Sequence, residues 1–360
     1  MTATVALSPA PAKPRTRLRD LPAKIRPSDP VKLRLAALRR FAVAITVLNV
    51  AGHLFLGFEQ SIAQLIIAVL TCYATELALE TLVAARDARR PSYLANAVTP
   101  SPRERVVSLV NFLLPAHISG CALAMLLFIS DRLDLFAVAA VIAISSKYIF
   151  RVRTQRGDKH YFNPSNFGIT AVLLLFAGTV SIAPPYQFTE SFGHFGDIAL
   201  PAFLACLGLF INFIFTGKLP LIFAWVGGFT VQAAVRAVLI DDTSFLAAMA
   251  PLTGMALLLF TLYMITDPGT TPRSKEGQVA FGLSVAAVYG VLMAFHVTFG
   301  VFFALTIVSA CRGIGMWTAN TVASKRSAAA SRRASTVPTG SGTSPTIVRS
   351  HATEQIRAAD

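Results

Sequence analysis

The sequence predicts an all-α integral membrane protein of about ten transmembrane helices with both termini cytoplasmic. Three observations carry that expectation. Hydrophobic residues make up 54% of the 360-residue chain and charged residues only 14%, with a mean hydropathy of +0.61, whereas a soluble domain is about 25% charged. Apolar runs long enough to cross a hydrocarbon core of about 30 Å recur along the chain. The basic residues gather in every second connection between those runs.

Taken in order, the apolar runs are 41–58, 61–83, 106–129, 134–150, 166–184, 197–215, 220–240, 245–266, 279–297 and 299–318. The first 40 residues combine Pro with ten Lys or Arg and lack a short apolar core ahead of a small-residue cleavage site. That composition marks a basic cytoplasmic tail and not a secretory signal. Residues 41–318 form a polytopic membrane domain. From 319 to 360 the chain is rich in Ser, Thr and Ala with scattered Arg, too polar to bury a core, so both tails are expected to be disordered.

The net charge of +14 and the pI near 10.2 take their meaning from location. Lys and Arg concentrate in the tails and in connections 84–105, 151–160, 216–219 and 267–278, whereas the alternate connections hold only Arg132. Those alternate connections carry Glu59, Asp131, Asp134, Glu190, Asp197, Asp241 and Asp242. An even number of spans and a multi-pass protein of the cell membrane follow. The basic rim suits anionic lipid headgroups, and no nucleic-acid partner is expected. Cys72, Cys121, Cys206 and Cys311 all lie within spans without CxxC spacing, so they are expected as buried apolar side chains with no metal or cluster role. His53, His117 and His296 lie in three different spans and are expected to serve packing or interhelical hydrogen bonds.

Ionisable and amide groups inside spans are costly, and each raises a functional hypothesis. Glu76 and Glu80, in ATELALETL, share one helix face. Lys147, in ISSKYIF, can pair with either, and the three are candidates for an ion or proton pathway. YFNPSNFGIT places Asn163, Ser165, Asn166 and Gly168 around Pro164 at the start of the fifth span. One cap accounts for one polar side chain, while free amides, polar side chains and a close-approach glycine together suit an anion or the polar edge of a ring. LYMITDPGTTPRSKEG carries Thr266, Asp267 and Thr270 beyond the eighth span. Asp before Pro stops a helix and PG marks a turn, yet Asp267 still needs a partner, with Lys147 or the amides opening the fifth span as candidates.

Three segments resemble the family containing the membrane D subunit of the Rnf electron-transport complex and the B subunit of the sodium-pumping NADH:quinone reductase. SSKYIFRVRTQRGDKHYFNPSNFGITAVLLLF is similar to that family's turn ending in FNPxxxG. APLTGMALLLFTLYMITDPGTTPRSKEGQVAFG is similar to its helix ending in TDPxT, and ATELALETL more weakly to its acidic second helix. The resemblance covers about residues 40–318 and implies two inverted five-helix repeats. It also implies a flavin, FMN or riboflavin. The family's covalent attachment uses a threonine in a Gly-Ala-Thr-like loop, whereas APPYQFTESFGHFGDI holds only Thr189, so covalent FMN is not expected and non-covalent flavin is. The short form with basic tails further resembles the UnbU-type members associated with enediyne biosynthesis.

Three functions remain open on these residues. The first is a membrane subunit of an electron-transport or ion-coupled redox system, with non-covalent flavin held by Asn163, Ser165, Asn166, Gly168, Thr266, Asp267 and Thr270, and electrons supplied by redox partner subunits. The second is a transporter or exporter of a small molecule or ion, linked to secondary-metabolite biosynthesis, with Glu76, Glu80, Lys147 and Asp267 lining a vestibule. The third is a scaffold acting through its basic tails. Soluble hydrolase or transferase chemistry has no grouped nucleophile, base and orienter to support it.

Overall fold

In the computed structural model the described residues are 29–58, 60–94, 101–129, 131–154, 157–184, 193–240 and 244–335. The expectations placed on the ends of both tails, on Glu59, Glu190, Asp241 and Asp242 and on Thr189 lie outside them. The chain divides into two units, 1–316 and 317–360. The fold is that of the first. Of the second, the described part is the end of a helix reaching Ser335.

Helix α1 (Pro30–Ala51) opens where Asp29 accepts from the Val31 N–H and Pro30 fills the first turn, a position at which a proline forfeits no helical bond. It therefore starts inside the stretch assigned to the basic tail, and Arg34, Arg39 and Arg40 ride on it. A wide turn over Gly52–Leu56 closes at Gly57 with φ 71°, a conformation that favours glycine. Ser61 caps α2 (Ile62–Arg86). A reciprocal Ser101–Glu104 capping box starts α3 (Pro102–Leu126). Strand β1 (Leu127–Ile129) and α4 (Asp134–Ile149) follow, then a hairpin of β2 (Arg151–Thr154) and β3 (Gly157–His160). Next come α5 (Pro164–Leu175) and β4 (Val180–Ile182), which pairs antiparallel with β1.

The second half opens with α6 (Gly193–Ile211), which widens over Asn212–Thr216 and closes at Gly217 with φ 64°. Helix α7 (Leu219–Leu239) leads to a broken segment. Helix α8 (Phe245–Met249), a tight turn over Ala250–Thr253, α9 (Met255–Leu259) and a wide turn over Phe260–Met264 make it up, with a 68° bend at the break. Ser274 caps α10 (Lys275–Ala294), and α11 (Gly300–Ser335) is the last helix described.

Each expected apolar run contains a helix or a broken helix, but not every one is long enough to span. Among the described residues, seven helices are long and apolar enough to cross a membrane, or up to eight with the bent pair counted as one span. The difference from about ten has a geometric cause. At 1.5 Å per residue, the 16 residues of α4 and the 12 of α5 extend about 24 and 18 Å, short of a hydrocarbon core of about 30 Å. The short strands also qualify the all-α expectation: β1 and β4 continue α3 and α5 beyond their ends as a three-residue ladder.

Glycines let the helices close on one another. A Cβ on Gly282 would meet Leu221 O at 2.8 Å, one on Gly120 would meet Val69 Cα at 2.7 Å, and one on Gly168 would meet Ala139 O at 2.7 Å. These contacts join α7 to α10, α2 to α3 and α4 to α5, the small-residue packing by which membrane helices associate. Trp225, Phe229 and Phe260 are fully buried, with Trp225 Nε1 donating to Thr261 Oγ1 at 2.9 Å. Outside, Val43, Ile66, Leu70, Phe203, Val231 and Leu283 are exposed. Apolar helix faces of that extent turned outward suit lipid, and the chain is a multi-pass membrane protein.

Candidate functional site

A cavity of about 320 Å³ lies among α1, α3, the start of α5, α6 and the broken segment. The sequence builds its longest wall from one stripe of α1, where Arg34, Ala37, Leu38, Phe41, Ile45 and Leu48 recur at helical spacing. The wall runs from a cation at Arg34 to apolar side chains at Leu48, about 21 Å along the helix axis. Phe41 and Tyr263 pack with ring centroids 5.2 Å apart, and Tyr263 donates to Leu204 O at 3.2 Å.

Six of the ten residues expected to form a site line this cavity: Glu76, Lys147, Asn163, Ser165, Thr266 and Asp267. Asn163 is the N-cap of α5. Its Oδ1 accepts from Asn166 N at 3.2 Å and Ser165 Oγ at 2.9 Å, while its Nδ2 donates to Met264 O at 3.0 Å. That one amide ties the FNPSNFG turn to the end of the broken segment, and so brings the two distant motifs together. Thr266 donates to Leu262 O at 2.7 Å.

The other four stand elsewhere. Asn166 Nδ2 donates to Phe302 O at 3.0 Å and Thr306 Oγ1 at 2.8 Å, holding α11, and its Oδ1 is buried with no partner among the described residues. Gly168 serves the close approach to α4. Thr270 Oγ1 donates to Asp267 Oδ2 at 2.9 Å, and Gly269 N donates to Oδ1 at 2.9 Å. The Asp267 carboxylate is therefore held by its own turn, and neither Lys147 nor the amides of α5 bond to it. Glu80 is likewise separate from Lys147. It accepts from Arg89 at 2.6 and 3.1 Å and from Ser92 N at 2.7 Å, which folds the 87–94 turn back on α2. Among the described residues Lys147 pairs with Glu76 alone, at 2.5 Å, and Tyr148 donates its hydroxyl to the same carboxylate at 3.0 Å.

The sequence did not single out the cations at the cavity and beside it. Arg34 and His160 line it. Lys218 is only 3% exposed and donates to Pro272 O at 2.5 Å, and Arg312 donates to Thr270 O at 2.6 Å. Hairpin register sets Lys159 opposite the buried Val152. Burial pushes the Lys159 ammonium down to about 8, as do Arg312, Arg273 and Arg34, while Asp267 pulls it upward. Burial also brings Lys218 down to about 8, with Asp267 opposing and Lys159, Arg312 and Arg273 reinforcing. His160 is held well below the usual imidazole range, first by burial. No local signal separated these cations from the basic rim; only the hairpin and the Asp267 turn bring them together.

The remaining candidates are structural. Thr46 donates to Ala42 O at 2.6 Å, so its oxygen accepts from His117 Nε2–H at 2.7 Å, and His117 Nδ1 accepts from Tyr73 OH at 2.7 Å. Cys72 and Cys121 are buried as expected, whereas Cys206 and Cys311 lie on exposed helix faces. No metal-holding group occurs among the described residues.

Fold and cavity together define a polytopic α-helical membrane protein with an internal, mostly apolar chamber and a basic mouth. No family model matches the chain, and no curated protein matches it.

Proposed function

We propose that this is a membrane subunit of a redox system, related to the Rnf D and sodium-pumping reductase B subunits, and that it holds a non-covalent flavin in the cavity at the cytoplasmic end of its helices. The observation that carries the reading is the convergence of Asn163, Ser165, Thr266 and Asp267 on one chamber, from the two stretches in which the resemblance resides. The donor set fits a flat heterocycle. Phe41 and Tyr263 offer aromatic walls, and each Asp267 carboxylate oxygen keeps a lone pair for a ring N–H beyond the bond it already accepts. A bound flavin would supply the electron transfer, and the protein would position it and exclude water. Redox partner subunits in the cell membrane would supply the electrons.

The test is the absorption and fluorescence of detergent-purified protein before and after acid denaturation. Flavin is released from the wild type and is lost from Asp267→Ala. A folded wild-type protein with no flavin rejects the reading.

A transport role is the second reading, favoured by the Glu76–Lys147 ion pair in the cavity wall. Features shared by the two halves would suit the inverted five-helix repeats that the resemblance implies. Helices α1 and α6 both widen into a turn closed by a left-handed glycine. Each also sends an asparagine amide to a later backbone carbonyl, Asn49 to Cys121 at 3.5 Å and Asn212 to Leu262 at 2.8 Å. Sites between such halves are a recurring transporter arrangement.

A further inference from the structure

Resting on that same cavity, we propose that its mouth binds a phosphate monoester, so that the ligand is an anionic amphiphile with its head among Arg34, Lys159 and Lys218 and its apolar body along α1.

The charge balance requires an anion. Arg34 of α1 and His160 of the hairpin line the cavity; Lys218 and Arg312 reach the turn that carries Asp267, donating to Pro272 O and Thr270 O, and Lys159, next to His160 in the hairpin, lies near enough to Asp267, Arg34, Arg273 and Arg312 to feel their charge. Against them stands Asp267, which makes no ion pair among the described residues. Its two oxygens each accept one bond from its own turn, from Gly269 N and from Thr270 Oγ1. Glu76, the other carboxylate on the cavity, is neutralised by Lys147. Lys159 is partly buried, with neither a hydrogen bond nor an ion pair to any described residue. Lys218, almost wholly buried, makes a single bond to a carbonyl and keeps two donors. Buried charge without a counter-charge is costly. The depressed ammonium groups of Lys159 and Lys218 are the response to that cost. A phosphate monoester brings the missing charge and enough acceptor oxygens to engage several of these donors at once.

The shape selects the rest of the molecule. Beyond Arg34 the α1 wall continues through Leu38, Phe41, Ile45 and Leu48 with no further cation, so a ligand anchored by its phosphate lays an apolar ring or chain along that stripe. A flavin mononucleotide and a single-headed lipid phosphate share this chemistry.

The experiment measures binding to the delipidated full chain in non-ionic detergent with two matched pairs, FMN against riboflavin and phosphatidic acid against diacylglycerol of the same chains. At least one phosphate form binds about tenfold tighter than its uncharged counterpart, as one charge-assisted contact predicts. The preference falls to about twofold or less in Lys159→Gln and Arg34→Gln. Neither substitution removes a hydrogen bond, and a melting curve checks each; Arg34, on an exposed surface, carries the test alone if the Lys159 variant fails to fold. Equal binding within both pairs, no binding of either phosphate form, or a preference that survives both substitutions overturns the proposal. Riboflavin bound as tightly as FMN, with no preference for phosphatidic acid, keeps the flavin reading and rejects this one. Phosphatidic acid bound selectively without any flavin does the reverse.

Discussion

At the scale of single residues, the informative groups are two lysines that the chain places in basic connections like any others. Lys159 and Lys218 titrate near 8 in the folded protein and near 10.4 when unfolded. Between those values the unfolded chain binds more protons, so stability rises with pH. Below about 8 both ammonium groups are charged at an unfavourable site, and the penalty is relieved as pH climbs from about 8 towards 10.5. Arg34, Arg273 and Arg312 add to that penalty, and Asp267 opposes it. The melting temperature of the ligand-free protein is therefore expected to rise between about pH 8 and 10, with a smaller rise in Lys159→Gln. A wild-type profile flat over that range would contradict the account. That Lys and Arg crowd alternate connections was legible in the sequence. That Lys218 is buried and Lys159 partly buried was not, because burial depends on the hairpin register and on the turn at Asp267.

At the scale of elements, the Glu76–Lys147 pair fastens α2 to α4. Spacing alone put Glu76 and Glu80 on one face of α2. The tertiary arrangement divided them, because Glu80 sits one turn nearer the helix end, where Arg89 folds back to meet it, whereas Glu76 faces α4. Removing one member of a buried pair strands the other, at a cost of about 3–5 kcal/mol. Lys147→Met should therefore lower stability by about that amount, and Glu76→Gln combined with Lys147→Met should recover most of the loss. Additive losses in thermal denaturation would show that the pair is not coupled. The same contrast applies at α5: a polar N-terminus was plain in FNPSNFG, yet Asn163 turned to the cavity while Asn166 turned to α11. Asn163 caps α5 from outside its helical turns whereas Asn166 lies within the helix, so their spacing does not say which surface each meets, and only the neighbouring helices decide.

At the scale of the whole molecule, charge sorting makes a directional claim. Arg90 follows α2, Asp131 follows α3, and the 25 residues of α3 cover about 38 Å, enough to separate the two positions by a bilayer. In intact cells a membrane-impermeant thiol reagent should modify Asp131→Cys and reach Arg90→Cys only after permeabilisation. Labelling of both from one side would refute the topology.

The sequence by itself determined the solvent in which this chain folds and the positions of its helices, because hydrophobicity, capping serines and helix-stopping Asp-Pro are local properties. It marked the two polar turns as unusual for the same reason. Which segments are too short to span, which glutamate meets Lys147, and that the two turns close one cavity with a basic mouth were decided by tertiary structure. Each depends on residues far apart in the chain, such as Asn163 and Met264, whose meeting is set by helix packing and leaves no local pattern.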